Sequence, residues 1–127
     1  MVRVVGIGTD LVEVARVARA YERFGERLLE RVFTAEEAAY CVARTDCACA
    51  LAGRFAAKEA VVKALSPAPA VGMAYREVAV VADGGRPRVT LAGAAAALAA
   101  ERGVTQILVT ISHERRYAVA FAIALGE

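Results

Sequence analysis

The sequence predicts an α+β fold in which a mainly antiparallel sheet packs against helices. The first observation behind this prediction is the order of the elements: a strand, three helices, two strands, a helix and two more strands. The second is that the last two strands follow each other directly, which favours antiparallel pairing as a hairpin. The third is a length of 127 residues without a linker, which fits a single domain spanning 1–127.

The amino-terminal segment predicts a strand, a turn and a long helix. Val2–Ile7 is a β-branched run, and Gly6-Ile7-Gly8 indicates a turn after it. Thr9 and Asp10 can then cap a helix that begins near Leu11. The apolar positions at helical spacing are Val14, Val17, Ala18, Tyr21, Phe24 and Leu28.

Two further helices follow. Thr34 and Glu37 have the spacing of a capping box, which places the start of the second helix at Thr34. The third runs from about Ala48 to Leu65, where the two prolines of Ser66–Pro69 end it. A mobile loop is expected from there to Met73.

The carboxyl-terminal half predicts two hairpins separated by an alanine-rich helix. Asp83-Gly84-Gly85 forms the turn of the first hairpin, and Gly103 ends the helix at its C′ position. The predicted elements are strands at Glu77–Ala82 and Arg88–Leu91, a helix at Ala92–Arg102, and strands at Ile107–Ile111 and Tyr117–Leu125.

The composition excludes several classes of protein. Hydrophobic residues make up 58% and charged residues 24%, which is far from the profile of a disordered chain. Much of the apolar content is alanine, which buries little area per residue, so we expect an oligomer to complete the burial. The longest uncharged stretches, such as Ala64–Tyr75, run to 12 residues and are too short for a membrane span of about 20 residues.

The net charge of +2 identifies no partner by itself. With no signal peptide ahead of them, the three cysteines are expected to be reduced thiols in the cytoplasm. They are Cys41, Cys47 and Cys49. A zinc site would need more ligands at close spacing, because the only histidine is the distant His113.

Two acidic residues are candidate metal ligands. Asp10 follows a predicted strand, where it is either a helix N-cap or a magnesium ligand, since Mg²⁺ prefers carboxylate and phosphate oxygens. Glu59 and Lys63 share a helix face at i and i+4. They form either an exposed ion pair or, because the helix is otherwise mostly apolar, a site for a phosphate and a metal.

The remaining candidates are a histidine and a basic helix face. Ser112 and His113 end a strand and point to opposite faces, so a phosphate contact suits them better than a nucleophilic pair. An exposed turn histidine is the alternative. Five arginines fall within about 120° of one helix face and form either a solvated surface or a docking surface for an acidic partner. They are Arg16, Arg19, Arg23, Arg27 and Arg31.

Three segments, in order along the chain, resemble the motifs of the holo-acyl-carrier-protein synthases. Residues 6–16, beginning Gly6-Ile7-Gly8-Thr9-Asp10, are similar to the opening motif of that family. Residues 54–65, which contain Lys58-Glu59 and Lys63, resemble its central motif very closely. Ile111-Ser112-His113-Glu114 and Tyr117–Ala120 resemble its closing motif. The resemblance spans nearly the whole chain, and the ordered set is specific although each motif alone is weak.

The resemblance implies an enzyme with a 4'-phosphopantetheinyl transferase fold. It would transfer 4'-phosphopantetheine from coenzyme A to a serine of an apo-acyl carrier protein, release 3',5'-ADP, and serve fatty acid or polyketide biosynthesis. Asp10 and Glu59 would bind Mg²⁺, and Glu59 and Lys63 would act in catalysis, with Glu59 or a bound water as the base. The implied coenzyme A contacts are Arg54, Lys63, Ser112 and His113; those that dock the acidic carrier protein are Arg16, Arg19 and Arg23.

The family is trimeric, with active sites shared between subunits, so the resemblance also implies a homotrimer. One departure is Tyr75-Arg76-Glu77 before the strand at Val78, where family members often carry Trp or Phe and an acidic pair. Another is a loop with Pro67 and Pro69 where the family has a glycine-rich one. The rival hypotheses are a basic nucleic-acid-binding module and a phosphohydrolase that needs no protein acceptor. We expect neither a nucleic acid nor a membrane as partner.

Overall fold

The computed structural model describes residues 1–68 and 72–127, which form an α+β fold with antiparallel sheets, as predicted. The strands are β1 (Arg3–Glu13), β2 (Val78–Asp83), β3 (Arg86–Leu91), β4 (Val104–His113) and β5 (Tyr117–Gly126). The helices are α1 (Val14–Phe24), α2 (Glu26–Val32), α3 (Ala35–Val42), α4 (Cys47–Leu65) and α5 (Gly93–Glu101). One sheet has the order β1-β5-β4, and β2 and β3 form a separate hairpin.

The first strand is longer than predicted, and the predicted turn at Gly6-Ile7-Gly8 is wrong. β1 continues to Glu13 and pairs with β5, with Asp10 opposite Ala120 and Glu13 opposite Tyr117. The interpretation of Asp10 as a helix N-cap is therefore also wrong, because α1 begins only at Val14. Pairing with the long strand β5 outweighs the local turn signal of the two glycines.

The two glycines of β1 allow the strand to lie directly on α4. A Cβ atom on Gly6 would overlap the carbonyl oxygen of Ala64, and one on Gly8 would overlap that of Ala60. Glycine is thus required here for a close approach of strand to helix, which is a different use from the turn that the sequence predicts. This approach fixes the distance between β1 and the side chains that α4 presents beside it.

The predicted first helix is divided into two. Gly25 has a φ of 53° and separates α1 from α2, so the apolar stripe up to Leu28 continues across a break. That conformation suits glycine alone among the common residues. Arg27 and Arg31 consequently lie on α2, whereas the first three arginines lie on α1.

Other predictions are confirmed. The capping box is present: the Thr34 hydroxyl accepts a bond from the Glu37 amide, and the Glu37 carboxylate accepts one from Thr34 N at 2.8 Å. The third predicted helix is α4, ending at Leu65 before Ser66. The two predicted hairpins and the alanine-rich helix between them also form, with boundaries shifted by a few residues.

Helix α4 is the centre of the core, and small side chains surround it. It packs against β1 and β5, and its residues Ala56, Ala57, Ala60 and Val61 are fully buried. The inward positions of β5 are alanines at every second residue, namely Ala118, Ala120, Ala122 and Ala124. Small residues on both surfaces bring helix and sheet close together, which confirms the alanine-rich core.

Part of the predicted loop after α4 lies outside the described residues, because Pro69 falls between the two described ranges. The three cysteines are free, with Cys41 fully buried. None of the helices in residues 1–68 and 72–127 combines the length and the hydrophobicity that crossing a membrane requires.

Candidate functional site

Asp10 and Lys63, predicted from two distant segments, meet in the structure. Lys63 Nζ donates to Asp10 Oδ1 at 3.2 Å and to the carbonyl oxygen of Thr9 at 2.9 Å. The Asp10 side chain is 19% exposed and that of Lys63 is 53% exposed. The alternative of an exposed Glu59–Lys63 ion pair is wrong for the described part of the chain, where Lys63 pairs with Asp10 instead.

Asp10 and Glu59 line one cavity of about 440 Å³, here called the carboxylate cavity. Its volume lies within the range of small-molecule pockets, about 300–1,000 Å³. The two carboxylates come from β1 and α4, and Tyr75 lies beside them. The rest of the lining is contributed mainly by α1, α2 and their surroundings: Leu11, Val12, Glu13, Arg16, Val17, Ala20, Leu28, Val32, Phe33 and Phe55.

A larger cavity, of about 810 Å³, lies along β3 and β4. Its one carboxylate, Asp83, is paired with Arg88 at 3.3 Å. This cavity therefore lacks a free pair of acidic groups. The smaller carboxylate cavity is the one whose chemistry matches the predicted metal site.

The carboxylate cavity supplies oxygen ligands for a hard cation. No group of three or more His, Cys, Asp or Glu side chains suitable for a metal occurs within 1–68 and 72–127. Mg²⁺ is commonly held by one or two carboxylates together with waters and substrate phosphates, so the donor set of Asp10 and Glu59 fits it. The Lys63 ammonium beside Asp10 indicates that a positive charge is accommodated at this carboxylate.

Tyr75 belongs to the cavity, although the sequence marked it only as a departure from the family pattern. The neighbouring Glu59 carboxylate, together with burial and the charge of Asp10, raises the pKa of Tyr75 to about 12. Its ring packs on Phe55 with the centroids 5.4 Å apart. The signal that could have identified Tyr75 is its position three residues before β2, where the chain returns to α4.

The sequence analysis also missed a buried ion pair behind the cavity. Lys58 Nζ lies 2.7 Å from Glu37 Oε1, and both side chains are fully buried. Lys58 also donates to the carbonyl oxygens of Tyr75 and Val78 at 3.0 and 2.6 Å. Glu37 Oε2 accepts a bond from the Val80 amide at 2.7 Å, so the pair joins α3 and α4 to the start of β2.

Burial lowers the pKa of the Lys58 ammonium, and the Glu37 carboxylate opposes that shift. Three acceptors, one of them anionic, are the partners that a charged buried ammonium requires. The available sequence signal was spacing: Lys58 lies seven residues from both Leu51 and Leu65, which are fully buried. The neighbouring residues Lys58 and Glu59 thus have separate roles, one in the core and one in the cavity.

The other predicted coenzyme A contacts lie apart from the carboxylates within this chain. Arg54 has its guanidinium 4.3 Å from the centroid of the Tyr40 ring, and its buried Nε has no hydrogen-bond partner among the described residues. His113 ends β4, and the Ile111 side chain two residues earlier lies beside Gly53 in the first half of α4.

Ser112 lies on the other side of the sheet from the α4 core. It pairs with Val119, which pairs with Leu11, and all three are exposed. The structure therefore brings together Asp10, Glu59 and Lys63, but it does not bring Arg54, Ser112 or His113 into the same cavity of this chain.

Helix α1 carries the predicted arginines Arg16, Arg19 and Arg23, and one exposed apolar side chain lies among them. Arg16 lines the carboxylate cavity, and Arg19 lies 3.5 Å from Glu13 in an exposed ion pair. The guanidinium groups of Arg23 and Arg27 lie 5.2 and 5.8 Å from the centroid of the Phe24 ring. Phe24 is 43% exposed, so a hydrophobic side chain protrudes among the arginines beside the cavity.

The chain is similar to several known proteins. The model of the 4'-phosphopantetheinyl transferase superfamily matches residues 6–122. A holo-[acyl-carrier-protein] synthase of Desulforudis audaxviator is 49% identical over 124 residues, covering 97% of this chain and 94% of that protein. The crystal structure of the holo-[acyl-carrier-protein] synthase from Neisseria meningitidis superposes with a TM-score of 0.86 at 30% identity, covering 96% of this chain and 98% of that one.

A third similar protein was solved with a ligand. The Helicobacter pylori holo-[acyl-carrier-protein] synthase, in complex with coenzyme A, has a TM-score of 0.80 at 26% identity. The match covers 93% of this chain and 98% of that one. Asp10, Glu59 and Lys63 all lie within the residues that the family model matches.

Proposed function

The chain belongs to the 4'-phosphopantetheinyl transferase superfamily, and we propose that it works as a Mg²⁺-dependent enzyme whose metal is held by Asp10 and Glu59. It transfers the 4'-phosphopantetheine group from coenzyme A to a serine of apo-acyl carrier protein and releases 3',5'-ADP. The observation that carries the proposal is the meeting of Asp10 with Lys63 on the face of α4 that also presents Glu59. The pathway served and the cytoplasmic location remain predictions from the sequence.

The two carboxylates and the lysine would have different electrostatic roles in the reaction. When bound, Mg²⁺ would supply Lewis-acid stabilisation of negative charge on the pyrophosphate oxygens. Asp10 and Glu59 would hold it from two sides of the cavity. Lys63, which is 53% exposed and reaches the edge of the site, would place its ammonium against the transferred phosphate.

The bond changes balance as a phosphoryl transfer. The carrier serine oxygen forms a bond to the β-phosphorus of coenzyme A, and the bond from that phosphorus to the oxygen of the 3',5'-ADP group breaks. The serine proton passes to a base, for which Glu59 is the candidate side chain in the cavity. Lys63 would stabilise the leaving 3',5'-ADP, so the chain contributes mainly orientation and charge.

The α1 surface is proposed as the docking site for the carrier protein. Arg16 stands at the wall of the carboxylate cavity, and Arg19 and Arg23 continue the positive surface along the helix. Exposed Phe24, flanked by two guanidinium groups, adds an apolar contact. An acidic carrier bound here would be guided by complementary charge, with its serine near the two carboxylates.

We also propose a homotrimer assembled through the outer sheet face, meaning the face of β1, β5 and β4 that points away from α4. Its outward positions are Ile7, Thr9, Leu11, Leu108, Thr110, Ser112, Val119, Phe121 and Ile123. Leu11 is 64% exposed and Phe121 is 45% exposed. A contiguous apolar patch of this kind is typical of a protein interface.

Assembly would also bring together the separated halves of the predicted site. Ser112 lies on the outer sheet face, and Arg54 and His113 lie away from the carboxylate cavity of their own chain. We propose that these residues of one subunit contact the nucleotide end of a coenzyme A molecule whose pyrophosphate lies at Asp10 and Glu59 of its neighbour.

A transfer assay separates this function from its rivals. The protein is incubated with coenzyme A, Mg²⁺ and apo-carrier protein, and the intact mass of the carrier is measured. We expect the carrier to gain one phosphopantetheine group, and a carrier with alanine at the acceptor serine to gain none. Release of 3',5'-ADP at the same rate without any carrier would instead indicate a phosphohydrolase.

A further inference from the structure

Helices α3 and α4 meet through two neighbouring pairs of side chains. The first is the buried ion pair of Glu37 and Lys58. In the second, the guanidinium of Arg54 lies over the ring of Tyr40, 4.3 Å from its centroid. On each helix the two residues lie three or four positions apart and so share one face. The buried pair therefore holds the helices in the register that stacks Arg54 on Tyr40.

A second arginine restrains the Tyr40 ring. Arg44 Nη1 donates to the Tyr40 hydroxyl at 3.2 Å, and the Arg44 guanidinium lies 5.5 Å from the ring centroid. Asp46 fixes Arg44 in turn, accepting from Nε at 2.8 Å and from Nη2 at 3.3 Å. The ring on which Arg54 stacks is thus held by contacts within the chain, independently of any ligand.

Within residues 1–68 and 72–127, the Arg54 guanidinium has a ring partner but no anionic one. Its buried Nε finds no hydrogen-bond partner there, and none of the ion pairs of this part of the chain includes Arg54. Glu36 lines the same small cavity of about 120 Å³ without pairing with it. A guanidinium stacked on a ring directs its N–H groups along its own plane, where they match two oxygens of a phosphate.

Coenzyme A carries one phosphate that the proposed metal site does not use. The pyrophosphate is assigned to Asp10 and Glu59, and the released 3',5'-ADP keeps a further phosphate on the ribose 3' oxygen. A guanidinium at the nucleotide end would meet this phosphate monoester. Bidentate hydrogen bonds from arginine suit such a group in both charge and geometry.

We propose that Tyr40 is a positioning residue for Arg54: its ring, restrained by Arg44, holds the guanidinium so that the free N–H groups meet the 3'-phosphate of coenzyme A. This inference rests on the proposed function, in which Arg54 contacts the nucleotide end of coenzyme A. An arginine side chain has many rotamers, and holding one of them before the ligand arrives lowers the entropic cost of binding.

The test is Tyr40→Leu, which removes the aromatic ring and keeps an apolar side chain at a position that is 37% exposed, so the fold should persist. Coenzyme A and dephospho-coenzyme A, which lacks only the 3'-phosphate, are each titrated calorimetrically into the wild type and the variant with Mg²⁺ present. We expect about fivefold weaker binding of coenzyme A and unchanged binding of dephospho-coenzyme A. In the transfer assay the KM for coenzyme A should rise by the same factor, while kcat and the KM for the carrier protein stay unchanged.

Three controls separate stacking from other effects. Tyr40→Phe keeps the ring and loses only the hydroxyl bonded to Arg44, so it should restore most of the coenzyme A affinity. Val42→Ala shortens another exposed side chain of α3 and should leave both affinities unchanged. In the wild type, the NMR signal of the Arg54 Nε–H, identified by its absence in Arg54→Lys, should shift on addition of coenzyme A and much less with dephospho-coenzyme A.

The outcomes distinguish the inference from the proposed function. If the wild type neither binds coenzyme A nor transfers phosphopantetheine, the proposed function is wrong, whatever the variants do. If the wild type does both, the positioning role is overturned when Tyr40→Leu keeps wild-type affinity or loses affinity for both ligands equally. Binding by Tyr40→Phe as weak as that by Tyr40→Leu would also overturn it, because the ring would then be unimportant. An Arg54 signal that does not respond to coenzyme A would do so as well, without depending on the stability of any Tyr40 variant.

Discussion

The α-carbon of Gly8 lies against the carbonyl oxygen of Ala60, so a side chain at position 8 would overlap the backbone of α4. Gly6 has the same relationship to Ala64 one turn along the helix. These two contacts place Asp10, two residues beyond Gly8, beside the helix face that presents Glu59 and Lys63. The glycines of the opening motif therefore set the distance between Asp10 and the side chains of α4 that line the proposed metal site.

Substituting Gly8 by alanine should displace β1 from α4. The new methyl group meets backbone atoms, which cannot rotate away, so we expect a loss of about 1–3 kcal/mol in the free energy of unfolding. Urea denaturation measures that loss, and transfer activity should fall with it because Asp10 moves relative to Glu59. Gly72→Ala is the matched control, since a Cβ atom there has no neighbour within 4 Å. Equal stability of the two variants would contradict the assigned role of Gly8.

Removing one partner of the buried pair of Lys58 and Glu37 should cost more stability than breaking an exposed ion pair. Lys58→Met leaves the Glu37 carboxylate buried without its counter-charge, and such changes typically cost about 3–5 kcal/mol. Arg44→Met, which breaks the exposed pair with Asp46, should cost less than about 1 kcal/mol. Denaturant unfolding of both variants gives the comparison, and a small effect of Lys58→Met would refute the structural role.

Local signals in the sequence were sufficient for several elements. The capping box of Thr34 and Glu37, the length of α4 and the closing hairpin depend on residues close together in the chain, and all were predicted. The meeting of Asp10 with α4 followed from the family resemblance, because the position of Asp10 in the sequence by itself favoured a helix N-cap.

The features that could not be predicted from the sequence depend on contacts between residues far apart in the chain. β1 continues through its two glycines because β5 supplies a partner strand more than 100 residues away. Glu37 was recognised as a capping residue, but its bond to Val80 joins residues 43 positions apart and has no local signature. Tyr75 likewise lines the cavity of Asp10 and Glu59, and its backbone is bonded to the buried Lys58, 17 positions away in the chain.

Charge on the outer sheet face should prevent assembly. Phe121→Asp places a carboxylate in the middle of the proposed trimer interface, where burial without a partner is unfavourable. We expect light scattering to give a monomer and the transfer rate to fall, since the proposed site draws on two subunits. Val42→Asp, on an exposed apolar residue of α3, should leave both unchanged. A fully active Phe121→Asp monomer would contradict the shared site.

Reversing Arg16 and Arg23 to glutamate should weaken carrier docking. The KM for the carrier protein should rise strongly, whereas the KM for coenzyme A should change little. Salt should weaken the wild type more than the variant, because exposed charges are screened over about 8 Å at physiological ionic strength. Reversing Arg3 and Arg102, which are exposed on other elements, changes the net charge equally and serves as the control. Unchanged carrier kinetics in the first variant would leave the basic face as an ordinary solvated surface.

The measurement that tests the account most directly is Mg²⁺ binding by Asp10→Asn and Glu59→Gln. Both substitutions keep the size of the side chain and remove its charge, so the fold should persist while one metal ligand is lost. Isothermal titration of Mg²⁺ into each protein with coenzyme A present should give one site per chain in the wild type and no measurable binding in either variant. Wild-type Mg²⁺ affinity in both variants would show that these carboxylates do not hold the metal and would contradict the central claim.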